Sequence, residues 1–228
     1  MHETERIKNR WEGGEKLAER LSAYARRPEV VVLALPRGGV PVGFSIAQAL
    51  EVPLDVILVR KLGVPGNEEF AMGAITSDGV YVLQSDVVRN FDISAKIVEA
   101  TVHRKLLELA QREKLYRAGR PALELDGRTA IVVDDGLATG STMLAAIRAI
   151  RKAGAARLVV AVPVVAPDAM RRIQSQVDEV IFLIAPEPFY AVGRWYEDFG
   201  QTSDDEVVEL LDRAAKLPTQ KELRKNTV

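Results

Sequence analysis

The chain has 228 residues, with 31 basic and 32 acidic side chains and a formal net charge of −1, a balance that offers no general surface for nucleic acid. It contains no cysteine, which excludes disulfides and thiolate chemistry and fits a reducing, cytoplasmic setting. No run of about 18 apolar residues occurs, so no membrane span is predicted, and the polar start from Met1 to Arg6 lacks the apolar core of a signal segment.

Residues 4–26 read as a helix, with Ile7, Trp11, Leu17, Leu21 and Tyr24 on one face. Gly13-Gly14 is expected to weaken or bend it, and Trp11 is expected to pack in the core. Pro28 marks a break. The Val/Leu run at 30–35 is a strand buried on both faces. Pro36-Arg37-Gly38-Gly39-Val40-Pro41 follows, and Pro41 suits a first helical turn. Arg37 places a cation beside exposed backbone N–H groups at a strand end. That is either an anion site or a plain Gly-rich turn.

Residues 52–59 read as the next strand, running into Arg60-Lys61-Leu62-Gly63-Val64-Pro65-Gly66-Asn67, a strand end and mobile loop. Glu68 and Glu69 are solvated loop acids, or one of them lies near a reacting group. Residues 71–76 and 80–83 read as short strands around the turn Ser77-Asp78-Gly79. A long helix follows Asp92-Ile93-Ser94 to about residue 117, with Val98, Val102, Leu106 and Leu109 as its buried stripe. His103 lies off that stripe and reads as a surface or packing residue.

The chemistry concentrates at 130–142. Ile131, Val132 and Val133 read as a buried strand ending in Asp134 and Asp135. A loop with Gly136, Ala138, Thr139 and Gly140 then leads into a helix opened by Ser141 and Thr142. Ligands of open parallel sheets sit at the carboxyl ends of strands. A small-residue loop entering a helix supplies N–H groups, hydroxyls and the positive end of the helix dipole, which suits a phosphate. The adjacent carboxylates would repel a phosphate but can accept hydrogen bonds from paired hydroxyls. Together they describe a site for a ribose 5-phosphate.

Strands at 157–162 and 179–184 and a helix at 167–173 complete an alternation that predicts a mainly parallel sheet. The 185–199 segment gathers Phe189, Tyr190, Trp195, Tyr196 and Phe199 after the last strand. These rings either stack on a planar ligand or pin the loop. Ser203-Asp204-Asp205-Glu206 is a capping box opening a last helix, ended by Leu217-Pro218, and the tail from Thr219 is expected to fray.

The 130–142 stretch resembles the 5-phosphoribosyl 1-pyrophosphate (PRPP) motif of the type I phosphoribosyltransferases. The Arg37-Gly38-Gly39 turn resembles that family's pyrophosphate loop, which often holds a non-proline cis peptide. The Arg60-Lys61…Pro65-Gly66 stretch is similar to adenine phosphoribosyltransferases. The resemblance implies one domain, 1–228. Its α/β core (28–185) is a mainly parallel sheet flanked by helices, with a flexible β-hairpin loop. The flanks, 1–27 and 186–228, would supply helices and a small hood. It implies Mg²⁺-dependent transfer of ribose 5-phosphate from PRPP to a nucleobase or other nitrogen acceptor, releasing pyrophosphate. Asp134 and Asp135 would hold the ribose hydroxyls. Ala138, Thr139, Gly140, Ser141 and Thr142 would grip the 5-phosphate, and Arg37, Gly38, Gly39, Arg60 and Lys61 would meet the pyrophosphate. Arg37, Lys61, Asp134 and Asp135 form the implied catalytic set. Phe189, Tyr190 and Trp195 are the implied base-binding rings. Mg²⁺ would be held mainly through PRPP, with Asp134 and Asp135 reaching it through water. Ala138 stands where the 6-oxopurine enzymes carry an Asp, which argues against hypoxanthine or guanine as acceptor. The alternative is a non-catalytic PRPP- or nucleotide-binding regulator of the same fold. Homo-oligomers through the N-terminal helix or the long helix are a further expectation.

Overall fold

A computed structural model describes residues 6–77, 79–122 and 124–216. Residues 4 and 5 of the expected first helix, Asp78 of the expected turn, and the helix end and tail from Leu217 onward lie outside the described residues.

Five parallel strands form the main sheet in the order β2-β1-β6-β7-β8: β1 (Val30–Ala34), β2 (Leu54–Val56), β6 (Thr129–Val133), β7 (Arg157–Val164) and β8 (Glu179–Ile184). The period of two sorts each strand between two cores. Val31 and Leu33 of β1, with Ala130 and Val132 of β6, face helices α5 (Ser141–Lys152) and α6 (Pro167–Ile173). Val30, Val32, Ile131 and Val133 face α1 (Arg10–Arg20) and α2 (Gly39–Leu50). Burial on both faces explains why these strands are continuous Val/Ile/Leu runs.

The N-terminal helix is shorter than the periodicity predicts. Asn9 Oδ1 caps it by accepting from the Glu12 N–H at 3.1 Å, and it ends at Arg20 before a 3₁₀ turn, Ser22–Tyr24. Its glycines do not break it. A Cβ on Gly13 would lie 2.9 Å from Pro163 Cγ, and one on Gly14 would lie 2.7 Å from the Val42 carbonyl oxygen. The glycine pair is therefore a contact surface, letting α1 lie directly on β7 and α2. Trp11 packs edge-on against Phe44, with ring centroids 5.9 Å apart, as core packing predicts.

The expected strand at 52–59 and the expected loop at 60–69 are both corrected. The chain leaves the main sheet after Val56. It then enters a separate antiparallel sheet of β3 (Val59–Val64), β4 (Asn67–Thr76) and β5 (Tyr81–Leu83). The apolar run through Ile57 and Leu58 is continuous in sequence, so only the change of pairing partner reveals the split. Leu62, Val64, Met72 and Ile75 give this small sheet a buried face. That face packs on Val98, Leu109 and Tyr116 of α4 (Ala95–Arg117) and on Val207, Leu210 and Leu211 of α7 (Asp204–Ala215). A short helix, α3 (Ser85–Asn90), precedes α4. Of the stripe expected on α4, Val98 and Leu109 are buried and Val102 and Leu106 half-buried, while His103 is exposed. The predicted cap of α7 is present, with Ser203 Oγ accepting from the Glu206 N–H at 3.0 Å. No helix of the described residues is long and apolar enough to cross a membrane.

Candidate active site

Strands β1 and β6 are hydrogen-bonded neighbours in parallel register, Ala34 opposite Val133. Their carboxyl ends therefore lie side by side, and the two loops singled out in the sequence meet there. The Leu35 N–H donates to the Val133 carbonyl at 2.8 Å, extending the ladder into the first loop. That loop carries a non-proline cis peptide, Pro36–Arg37, as the resemblance implies.

The glycines of the first loop are explained by the acids of the second. A Cβ on Gly39 would lie 2.7 Å from the Val133 carbonyl oxygen and 2.9 Å from Asp134 Cα. One on Gly38 would fall on the Asp135 carboxylate, 2.6 Å from its Cγ. Two motifs roughly a hundred residues apart in sequence are thus packed backbone against backbone, with no room for a side chain between them.

Gly140 turns the second loop into α5 at φ 72°, a conformation that glycine adopts without a Cβ penalty. The N-cap of α5, Gly140, has no side chain to offer, and the Thr139 hydroxyl accepts from the Ser141 N–H at 3.4 Å. The hydroxyls of Thr139 and Ser141, 3.2 Å apart, stand at the start of this helix, the end of a helix that suits an anion. Ala138 and Thr139 are exposed just before it.

The acid pair is half-buried. Burial, and then the neighbouring Asp135 charge, push the Asp134 carboxyl well above the usual carboxylate range. Asp134 Oδ1 accepts from the Asp135 N–H at 2.9 Å. Burial also raises Asp135, against the pull of Arg10. Arg10 Nε donates to Asp135 Oδ2 at 2.9 Å, and its Nη2 reaches the same oxygen at 2.8 Å. The Arg10 guanidinium is itself held by the Gly200 carbonyl at 2.5 Å and by the Phe199 ring, 4.0 Å away. Phe199 stacks on Tyr196, whose hydroxyl donates to the Asp135 carbonyl at 2.6 Å.

Arg10, Tyr196 and Phe199 are not among the predicted site residues. Arg10 stands 125 residues from its acid, and only the folded chain reveals the pairing. The chain on either side of Arg10 and of Tyr196 is joined by backbone hydrogen bonds. The Ile7 N–H donates to Trp195 O, and the N–H groups of Glu197 and Asp198 donate to Ile7 O and Lys8 O, each at 2.9 Å. The two flanks are therefore woven into one patch, which rests on Gly136 through Val192.

The predicted base-binding rings lie elsewhere in that patch. Phe189 is partly buried against two core clusters. Tyr190, 68% exposed, and Trp195 line a groove of about 390 Å³ with Arg6, Pro186, Pro188 and Arg194. No residue of 134–142 lines that groove.

The predicted cations are also dispersed. The Arg37 guanidinium lies 3.9 Å from Asp204 at the start of α7, and Asp204 also accepts from the Tyr116 hydroxyl. Burial and the nearby Asp204 raise the Tyr116 phenol to about 12. Arg60, lowered by burial and by Arg112, shares a small cavity with Pro36 and Thr142. Lys61, one residue on, points to the opposite face of the small sheet, into a cleft bordered by Ser141. Glu68 is exposed and paired with Arg104 at 3.2 Å.

The profile of the Phosphoribosyl transferase domain family matches residues 2–191. The "Putative phosphoribosyl transferase Rv0571c" of Mycobacterium tuberculosis H37Rv is 49% identical over 206 residues, covering 90% of this chain and 46% of that protein. A counterpart from strain CDC 1551 matches equally. The chain thus spans about half the length of the curated relatives it matches. Among solved structures, TT1426 from Thermus thermophilus superposes with a TM-score of 0.81 at 41% identity, covering 90% of this chain and 97% of that one.

Proposed function

Because this chain belongs to the phosphoribosyl transferase domain family, we propose that it transfers ribose 5-phosphate from PRPP to a nitrogenous acceptor and releases pyrophosphate. The bond from the anomeric carbon to the diphosphate oxygen breaks, the diphosphate leaves with the electron pair, and the acceptor nitrogen bonds to that carbon. The observation that carries this reading is the interlock of Gly38 and Gly39 with Asp135 and Asp134. It brings together an acid pair that would bind a diol, the start of α5 that would hold a phosphate, and the Arg37 loop, around the ends of two adjacent strands.

Asp134 would accept hydrogen bonds from the ribose hydroxyls. The 139–142 loop would hold the 5-phosphate at the start of α5, and the Arg37-Gly38 turn would meet the diphosphate, the Gly39 N–H being taken by the Leu35 carbonyl at 3.1 Å. Among the described residues no group of three or more His, Cys, Asp or Glu converges as a metal cage. The donor set fits a Mg²⁺ that arrives on the oxygens of PRPP, with the acid pair reaching it through water. Such an ion offsets the charge of the leaving diphosphate. Ala138 leaves the rim without an acid and favours adenine-like or unusual acceptors over 6-oxopurines.

A second reading, a PRPP-binding regulator, draws on the dispersal of the cations: Arg37 faces Asp204, and Lys61 faces the flank of α5. Pyrophosphate release from PRPP with Mg²⁺, measured across a panel of bases, decides between them. Base-dependent release that is lost in an Asp134→Asn/Asp135→Asn double variant is the expected result. PRPP binding without base-dependent release selects the regulator, and absence of PRPP binding removes both readings.

A further inference from the structure

Between the small sheet and helices α5 and α6 lies a cleft of about 400 Å³. Lys61 enters it from β3, Arg148 from α5 and Arg172 from α6. Among the described residues lining it there is no carboxylate, and none of the three cations has an ion pair or side-chain hydrogen bond. Neighbouring cations behave differently. Arg151, Arg157 and Arg171 are paired with Asp178, Glu179 and Asp168. On a chain whose charges nearly cancel, three cations left facing one another across an apolar and small-residue floor call for an anion from outside.

Guanidinium groups present a planar fork that matches phosphate oxygens. At the edge of the same cleft Phe70 is 45% exposed and offers a flat ring, and Gln84 offers an amide. A ligand with several phosphates and a planar ring meets both halves. The cleft meets the 139–142 loop at Ser141 and runs away from it along α5. Arg148 stands seven residues beyond Ser141 on α5, roughly 10 Å down the helix axis, and neither Asp134 nor Asp135 lines the cleft.

We propose that this cleft binds a nucleoside di- or triphosphate, apart from the centre at the ends of β1 and β6. The phosphates lie among Lys61, Arg148 and Arg172, and the base lies against Phe70. Because the cations come from two layers of the fold, the bound nucleotide ties the small sheet to α5 and α6. Ser141 belongs to both the cleft and the phosphate loop, so occupancy is felt at the centre as a change in PRPP affinity.

The test is equilibrium dialysis of labelled ADP, with inorganic tripolyphosphate in parallel, against the full chain with and without saturating PRPP. ADP binding that persists under PRPP is expected, weakening at least tenfold in Arg148→Glu/Arg172→Glu and in the milder Arg148→Gln/Arg172→Gln. Circular dichroism and Tm should be unchanged in both. Phe70→Ala should weaken ADP but leave tripolyphosphate unaffected. ADP displaced one for one by PRPP and indifferent to Arg148 and Arg172 would overturn the proposal, as would no ADP binding by the wild type. The proposal stands apart from the PRPP reading. A wild type that binds ADP through Arg148 and Arg172 but never binds PRPP would defeat that reading alone.

Discussion

The two halves of the candidate site are built in different ways. The half formed by Gly38, Gly39, Asp134 and Asp135 is a contact between backbones at the ends of paired strands, and its geometry follows from the ladder that joins β1 to β6. The half formed by the hood and the small sheet rests on side chains that meet from distant parts of the chain, such as Arg10 on Asp135 and Tyr196 on the Asp135 carbonyl. A site of this kind has a rigid backbone floor and walls that are tuned separately. Substitutions in the floor should therefore force packed backbones apart, and those in the walls should remove a side-chain partner and leave the backbone interlock in place.

The sharpest break in that contrast is Gly39→Ala. Its Cβ meets the Val133 carbonyl and Asp134 Cα, which are backbone and cannot rotate away. A loss of about 2–4 kcal/mol is expected, in line with strain inside packed regions, read as the urea midpoint. Gly66→Ala is the control. It has a φ of 78° and nothing within 4 Å of its Cβ, and should cost only about 1 kcal/mol. If the two cost the same, the interlock is not what makes Gly39 necessary.

Next in size is Arg10→Ala, which strips Asp135 of a partner whose side chain is only 12% exposed. Breaking a largely buried pair leaves an uncompensated charge, and a loss of about 2–3 kcal/mol is expected by chemical denaturation. Arg10→Lys should recover part of the stability but not the contact with Phe199. A wild-type Tm in Arg10→Ala would mean that the hood does not bear on the acid pair.

Smaller and opposite in sign is Asp134→Asn. The folded carboxyl titrates above its ordinary 3.8 because of burial and Asp135. A raised carboxyl binds its proton more tightly in the folded state, so the stability it contributes is complete below its unfolded pKa and lost as pH rises through the folded one. The variant is spared that loss. It should be more stable than the wild type by about 1 kcal/mol at pH 8, with the gap closing on acidification toward pH 4. Tm measured across pH gives the answer, and a gap that grew on acidification would contradict the assignment. Smallest of all, Tyr190→Ala should change stability by less than about 0.5 kcal/mol, since its ring is 68% exposed.

The same division governs what could be read from the sequence. The floor was legible because its signals are local: apolar runs buried on both faces, two acids at a strand end, and glycines entering a helix. The walls were not. Nothing near Arg10 refers to an acid 125 residues away. The passage from Val56 to Val59 changes sheets without interrupting its hydrophobic pattern, because both sheets accept the same residue types. Among the rings of 185–199 composition marks the cluster, but which ring turns toward Asp135 depends on the pairing of Ile7 with Tyr196. Gly13 and Gly14 misled for a related reason. Helix propensity treats glycine as a weakness, whereas here the missing Cβ is the point of contact with Pro163 and Val42.

The weave between Ile7 and Tyr196 has a consequence for how the protein is made. During synthesis residues 7–10 leave the ribosome long before their partners at 195–200. Until those partners arrive, Asp135 lacks the Gly200-held guanidinium and the Tyr196 hydroxyl that bear on it in the finished fold. The step that completes this corner of the fold joins segments that are synthesised far apart.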